Sequence, residues 1–199
     1  MKDDVSVLKK KMRLRLRTGL ESLPAFYREE QSAEACLRLH SQPAWKKARS
    51  ILFYAPLPNE VNIWALLPEA IKAGKTVLLP KFDGGIGDYT ALQICDIESD
   101  FLPGKFGIME PISSCSSFPL NQLDLTLVPG IGFDAHGGRL GRGGGFYDRL
   151  LARVSGIRCG IAFEEQMVPE IPVEPHDIRM NCVLTPERWL ETTIALSSE

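Results

Sequence analysis

No run of apolar residues in this chain approaches the roughly 18 that a membrane-spanning helix needs, and no C-x-x-C pair occurs. The five cysteines are an odd number, and the closest two, Cys95 and Cys115, stand twenty positions apart. That scatter argues against both a disulfide framework and a zinc site. Neither sign of charge dominates, since 23 basic against 25 acidic side chains leave a formal net charge of −2. No global field therefore draws the molecule to nucleic acid or membrane, and any phosphate binding has to be local. The opening MKDDVSVLKKKMRLRLR lacks the apolar core of a secretory signal. It is Arg-rich, as a mitochondrial transit peptide would be, but the Asp3-Asp4 pair and the single serine, Ser6, point instead to a cytoplasmic protein. No repeat, low-complexity tract or linker divides the chain. What is present is an ordinary globular composition, 44% hydrophobic and 24% charged over 199 residues, sufficient to bury a core as one domain over residues 1–199.

The apolar periods predict an α/β fold. Leu8, Met12, Leu16 and Leu20 recur every fourth position and mark one stripe of a helix over residues 5–20. Lys9, Arg13 and Arg17 follow the same spacing beside it. A second helix is predicted over 25–41, opened by Pro24. The apolar run 50–54, a helical stretch over 63–73 interrupted by Pro68, and a strand over 76–79 before Pro80 then make a strand-helix-strand crossover. Further strands are expected at 89–95, 125–128, 157–162 and 181–184, and a helix at 146–154. The expected architecture is a three-layer αβα sandwich with a mostly parallel central sheet, Rossmann-like but without a dinucleotide fingerprint.

Eight of the seventeen glycines fall between Gly130 and Gly145, in VPGIGFDAHGGRLGRGGGFYDRLL. This stretch joins an apparent buried strand to a helix, and in open α/β sheets the carboxyl ends of the strands are where ligands bind. A glycine-dense loop there offers bare backbone N–H groups to an anion, and phosphate is the natural guest. Arg139 and Arg142 add forked donors, and Asp148 follows where it could hold magnesium. Standard nucleotide motifs are missing. Gly74-Lys75-Thr76 ends like a Walker A motif, but Glu69 stands at the required upstream glycine and the lysine precedes a strand. No G-x-G-x-x-G occurs, because Phe146 stands where its last glycine would be.

The segment GRLGRGGGFYDRLL, preceded by PGIGFDAHG, resembles the signature of the 5-formyltetrahydrofolate cyclo-ligase family, also called methenyltetrahydrofolate synthetases. KKKMR near the start, FYAPLPNEV, KFGIMEP and GIAFEEQMVPEIPVEPHD follow the family's order, so the resemblance covers nearly the whole chain. It implies conversion of 5-formyltetrahydrofolate to 5,10-methenyltetrahydrofolate with ATP and Mg2+, releasing ADP and phosphate. In the family's scheme the γ-phosphoryl group of ATP is transferred to the formyl oxygen, N10 attacks the resulting iminium phosphate, and loss of phosphate closes the ring. Such a transfer asks the protein for positioning and charge compensation.

The resemblance places ATP binding on Lys9, Arg13, Arg139, Gly141, Arg142, Gly143, Gly144, Gly145, Phe146 and Tyr147. Lys9 and Arg13 share one helical face, as phosphate contacts from a single helix must. Lys10, Lys11, Arg15 and Arg17 are read as a solvated basic face. Arg142 and Tyr147 carry the catalytic roles, Arg142 on the transferred phosphoryl group and Tyr147 through its hydroxyl. Phe146 stands where many members have a tyrosine and retains only the stacking surface. Asp148 and Asp177 are the implied magnesium ligands. Glu60 is the implied folate contact, a carboxylate able to accept paired hydrogen bonds from the pterin. Phe106 is a candidate wall for that ring, and Arg142 faces both substrates. Asn62 and Ile63 replace an acidic residue and a threonine common in the family, and Asn181 replaces an aspartate, which implies one supporting carboxylate fewer and weaker magnesium binding. Gln166 and His176 are expected to support the site from outside it, while His40 and His136 remain unassigned. The partners expected are small molecules, 5-formyltetrahydrofolate and MgATP, with no nucleic acid and no membrane, acting on a monomer. The rivals are an ATP-dependent relative acting on another small substrate and, with much less support, a nucleic-acid module built on the basic first helix.

Overall fold

A computed structural model describes residues 4–85, 87–104 and 108–192. Its centre is an eight-stranded sheet in the order β12-β11-β10-β7-β1-β2-β3-β6, where β1 is Ser50–Leu52, β2 Thr76–Asp83, β3 Asp88–Ile94, β6 Ser117–Phe118, β7 Leu125–Val128, β10 Ile157–Ile161, β11 Cys182–Leu184 and β12 Trp189–Glu191. The five middle strands run parallel, and β12, β3 and β6 are antiparallel additions at the edges. Two short antiparallel pairs lie outside this sheet, β4 (Phe101–Pro103) with β5 (Met109–Pro111) and β8 (Gly132–Phe133) with β9 (Arg139–Leu140).

The side-chain alternation along the strands builds two cores, one on each face. Ile51, Phe53, Val77, Leu79, Leu125, Leu127, Cys159 and Ile161 face the helices α1 (Val5–Glu21), α2 (Ala25–Ser41), α3 (Pro43–Lys47) and α4 (Leu66–Lys72). Leu52, Leu78, Val128 and Val183 face the other way, against Leu150 and Leu151 of α5 (Phe146–Ala152). A parallel sheet covered on both faces needs apolar residues at both parities, and this explains why its strands read as continuous apolar runs. No helix among the described residues is long and apolar enough to cross a membrane.

Several expected boundaries move. The strand predicted to end before Pro80 continues through it to Asp83, because β3 pairs along its whole length, with Pro80 opposite Ala91. β1 meets β2 only as far as Leu78, so the N–H that proline lacks is not required by the neighbouring strand. Pro68 is tolerated as the third residue of α4, where the helix has no N–H bond to lose. The apolar stripe of α1 turns inward only in its second half. Leu16 and Leu20 are buried, whereas Leu8 is 37% exposed and Lys9 only 5%.

The chain reverses its winding direction beside β1. From β1 it crosses one face through α4 to β2, and from the adjacent β7 it crosses the other face through α5 to β10. The loops leaving β1 and β7 therefore diverge and open a crevice at the carboxyl edge of the sheet, the usual ligand position in this architecture.

Candidate active site

That crevice is a cavity of about 460 Å³. The loop after β1 supplies Glu60 and Leu57, and the loop after β7 supplies Arg139 and residues 141–145. Helix α1 supplies Lys9 and Arg13, and the segment 174–177 closes another side. Every ATP-binding position expected from the sequence lines this one cavity, together with Glu60, Asp148 and Asp177. Phe106 lies outside the described residues.

Buried polar contacts shape the glycine-rich loop. Gln166, 1% exposed, donates from Nε2 to the Gly130 carbonyl at 2.7 Å and accepts the Phe163 amide at 2.8 Å. Asp134, equally buried, accepts the amides of His136, Gly138 and Ile171, each at 2.8 Å. Gln166 thus acts as expected, by holding the loop. Asp134 was missed, although an aspartate opening a D-x-x-G turn was a readable signal. Gly143 and Gly145 adopt φ of 103° and 66°, conformations that side chains rarely enter. Helix α5 has only two turns, so loop amides and arginines, more than a helix dipole, supply the positive field.

Each expected charge in the cavity already has a partner. Arg139, with 3% of its side chain exposed, donates from Nη2 to both oxygens of Asp148 at 3.0 and 3.1 Å. Its guanidinium also lies 5.5 Å from the centre of the Tyr147 ring. Arg142 donates from Nη2 to Glu60 Oε1 at 2.7 Å and to Asn59 Oδ1 at 3.2 Å. Arg13 donates from Nε to the Gly141 carbonyl at 2.8 Å. Lys9 reaches Glu174 at 2.7 Å and Asp177 at 2.5 Å. Asn59 and Glu174 were not foreseen, because nothing in the spacing shows which polar residues meet across loops more than eighty positions apart.

Burial alone would lower the Lys9 ammonium, but hydrogen bonds and charge from Asp177 and Glu174 outweigh it and leave its pKa above the ordinary value. For Asp177, burial pushes upward, and the bonds from Lys9 and the Glu174 amide outweigh it and hold the carboxyl below its ordinary value. The signs fix a window. The raised lysine contributes stability that is full below its unfolded value of 10.5 and lost as pH rises through the folded one. The depressed aspartate contributes stability present above 3.8 and lost as pH falls through its folded value. Urea unfolding as a function of pH should show this acid loss, and Lys9→Met should reduce its slope. An unchanged slope would mean the clasp adds no stability. Burial, with the nearby Glu60 charge second, drives the Tyr147 phenol well above its usual range, so near neutrality it is a hydroxyl donor.

The aromatic wall consists of Phe82 and Tyr89, opposite one another on β2 and β3, with Phe146 edge-on to both at 5.6 and 6.0 Å. Phe146 is 40% exposed, and the Arg149 guanidinium lies over its ring, 4.8 Å from the centre. His176 is 70% exposed, with Nε2 at 3.9 Å from Glu174 and 3.8 Å from Asp177. Asn181 corrects the sequence reading. It precedes β11 at the amino-terminal edge of the sheet, where its Oδ1 accepts the Arg158 amide at 2.9 Å, so it takes no part in the cavity and costs it no carboxylate. Ile63 is a core residue, 1% exposed, and the Asn62 side chain accepts the Trp64 amide at 3.1 Å. Neither residue lines the cavity, Ile63 lying in the core and Asn62 on the surface.

The chain matches the 5-formyltetrahydrofolate cyclo-ligase family over residues 5–186. It is 34% identical to the 5-formyltetrahydrofolate cyclo-ligase of Mycolicibacterium smegmatis, covering 92% of this chain and 95% of that protein. The solution structure of Aquifex aeolicus 5,10-methenyltetrahydrofolate synthetase superposes with a TM-score of 0.85 at 31% identity, over 96% of both chains. A 5,10-methenyltetrahydrofolate synthetase from Mycoplasma pneumoniae shares the fold at a TM-score of 0.72 and 20% identity, over 89% of this chain and 98% of that one.

Proposed function

Because the chain belongs to the 5-formyltetrahydrofolate cyclo-ligase family, we propose that its cavity converts 5-formyltetrahydrofolate to 5,10-methenyltetrahydrofolate at the expense of ATP. The observation that carries this reading is the meeting of two loops at the reversal of winding. It sets the buried carboxylate of Glu60 2.7 Å from Arg142 of the glycine-rich loop, so that a folate acceptor and a phosphoryl-binding cation share one cavity. The formyl oxygen is a poor leaving group. Its attack on the γ-phosphorus forms a P–O bond as the bond to ADP breaks. N10 then attacks the activated carbon and gives up its proton, and the formyl oxygen departs within inorganic phosphate.

The residues divide this work by charge and position. Arg142, on the glycine-rich loop, offsets charge on the transferred group. Tyr147, kept neutral by its burial, donates a hydrogen bond. Lys9, Arg13 and the amides of residues 143–145 surround the phosphates, and Phe146 offers a ring face. Both implied ligands are carboxylates, which magnesium favours together with phosphate oxygens. Asp148 lines the cavity with both oxygens on Arg139, and Asp177 engages Lys9 and the Glu174 amide through Oδ2, so Asp177 Oδ1, 3.8 Å from His176 Nε2, is the oxygen that would hold the ion first. When bound, the ion neutralises phosphate charge.

We read the chain as a cytoplasmic monomer that takes small molecules, with neither nucleic acid nor membrane as partner. Supporting this, Lys9 and Arg13 of the basic first helix are engaged inside the protein. Mixing the protein with 5-formyltetrahydrofolate and MgATP should produce the near-ultraviolet band of methenyltetrahydrofolate, and the ATP-free control should stay flat. Absence of the band while ATP still binds would move the search to another substrate.

A further inference from the structure

The Arg142–Glu60 contact pairs two groups that the proposed reaction assigns to different substrates. Resting on that reading, we propose that this contact is an exchange point that determines specificity: paired N–H donors of the folate ring take Glu60 from Arg142, and only then does Arg142 turn to the phosphoryl group. Glu60 thereby governs the use of ATP as well as the binding of folate.

Glu60 has 6% of its side chain exposed, against 41% for Arg142. Its Oε2 accepts the Leu57 amide at 3.0 Å, and its Oε1 accepts Arg142 Nη2 at 2.7 Å and Nε at 3.3 Å. A carboxylate this buried is costly to leave without donors. Arg142 therefore leaves only when another donor set arrives, and the amino and ring N–H groups of a pterin are such a set. The Arg142 side chain is 41% exposed and stands between Gly141 and Gly143, the latter at φ 103°, so its release from Glu60 would disrupt no core packing.

The alternative is a fixed strut, in which Arg142 keeps Glu60 and meets phosphate through Nη1. Exchange is favoured because Nε and Nη2 form the forked edge that matches two oxygens of a phosphate, and Glu60 occupies that edge in the absence of ligand. It follows that a cavity ligand without paired donors leaves Arg142 withdrawn and does not stimulate ATP turnover.

Calorimetry with magnesium and a non-hydrolysable ATP analogue tests this. In the wild-type protein, saturating 5-formyltetrahydrofolate should tighten analogue binding about tenfold. Glu60→Gln should bind the analogue about tenfold more tightly than wild type with no folate present, and Asn59→Ala, which removes the weaker 3.2 Å tether, should shift it in the same direction by less. Adding Glu60→Gln to Arg142→Ala should change nothing, whereas simple relief of charge repulsion would persist in that background. If both ligands bind wild type with no effect on each other, the exchange is overturned and the proposed reaction stands. If neither binds, the reaction falls and the exchange with it.

Discussion

Replacing Arg142 by alanine is expected to lower turnover about a thousandfold while leaving the protein folded. The side chain is 41% exposed and sits on a loop outside both cores, so little packing is lost. The structural penalty falls on Glu60, which among the described residues keeps only the Leu57 amide. Leaving a buried acceptor poorly paired costs about 1–3 kcal/mol, readable as a lowered denaturant midpoint. Arg142→Lys restores the charge without the fork and should fall between the two. Near-normal turnover in a folded Arg142→Ala protein would remove this residue from the phosphoryl-transfer step.

The largest loss of stability is expected at Asp148. Arg139 has 3% of its side chain exposed and Asp148 19%, and the carboxylate accepts the guanidinium through both oxygens. Among the described residues the other contacts on that guanidinium are a long 3.4 Å bond to the Pro129 carbonyl and the face of the Tyr147 ring, and Nε is buried without a hydrogen-bond partner. Asp148→Ala would strand a buried cation, at a cost of about 3–5 kcal/mol. Asp148→Asn keeps an acceptor and should cost less, so it is the variant in which to titrate magnesium. A higher magnesium concentration for half activity supports a role in holding the ion. A stable Asn variant with an unchanged titration would leave Asp148 as the partner of Arg139 alone.

The two predictions mark where the sequence could be read and where it could not. The strands expected over 125–128 and 157–162, and found over 125–128 and 157–161, were legible because an apolar run between turn residues has few alternatives in a doubly covered sheet. So was the glycine-rich loop, because eight glycines interleaved with two arginines put bare backbone N–H groups and positive charge into one stretch. The inward turn of Lys9 was not legible. Its helix carries a regular apolar stripe, and only the carboxylates at 174 and 177, more than 160 positions away, explain why an ammonium is buried beside Leu16. The same holds for β4, β5, β8 and β9. Strands of two or three residues carry no period of their own and exist through their partners. Asn181 shows the converse error, in which a departure from a family pattern was given a functional meaning before its place at the far edge of the sheet was known.

The central claim is that ATP is used to turn the formyl oxygen into a leaving group. The most direct measurement starts from 5-formyltetrahydrofolate labelled with 18O in the formyl group and follows a single turnover with MgATP, with the released phosphate analysed by mass spectrometry. Phosphate carrying one 18O for each methenyltetrahydrofolate formed is the predicted result. Unlabelled phosphate, with the label recovered in water, would contradict it, because the formyl oxygen would then have left without ever being bound to phosphorus.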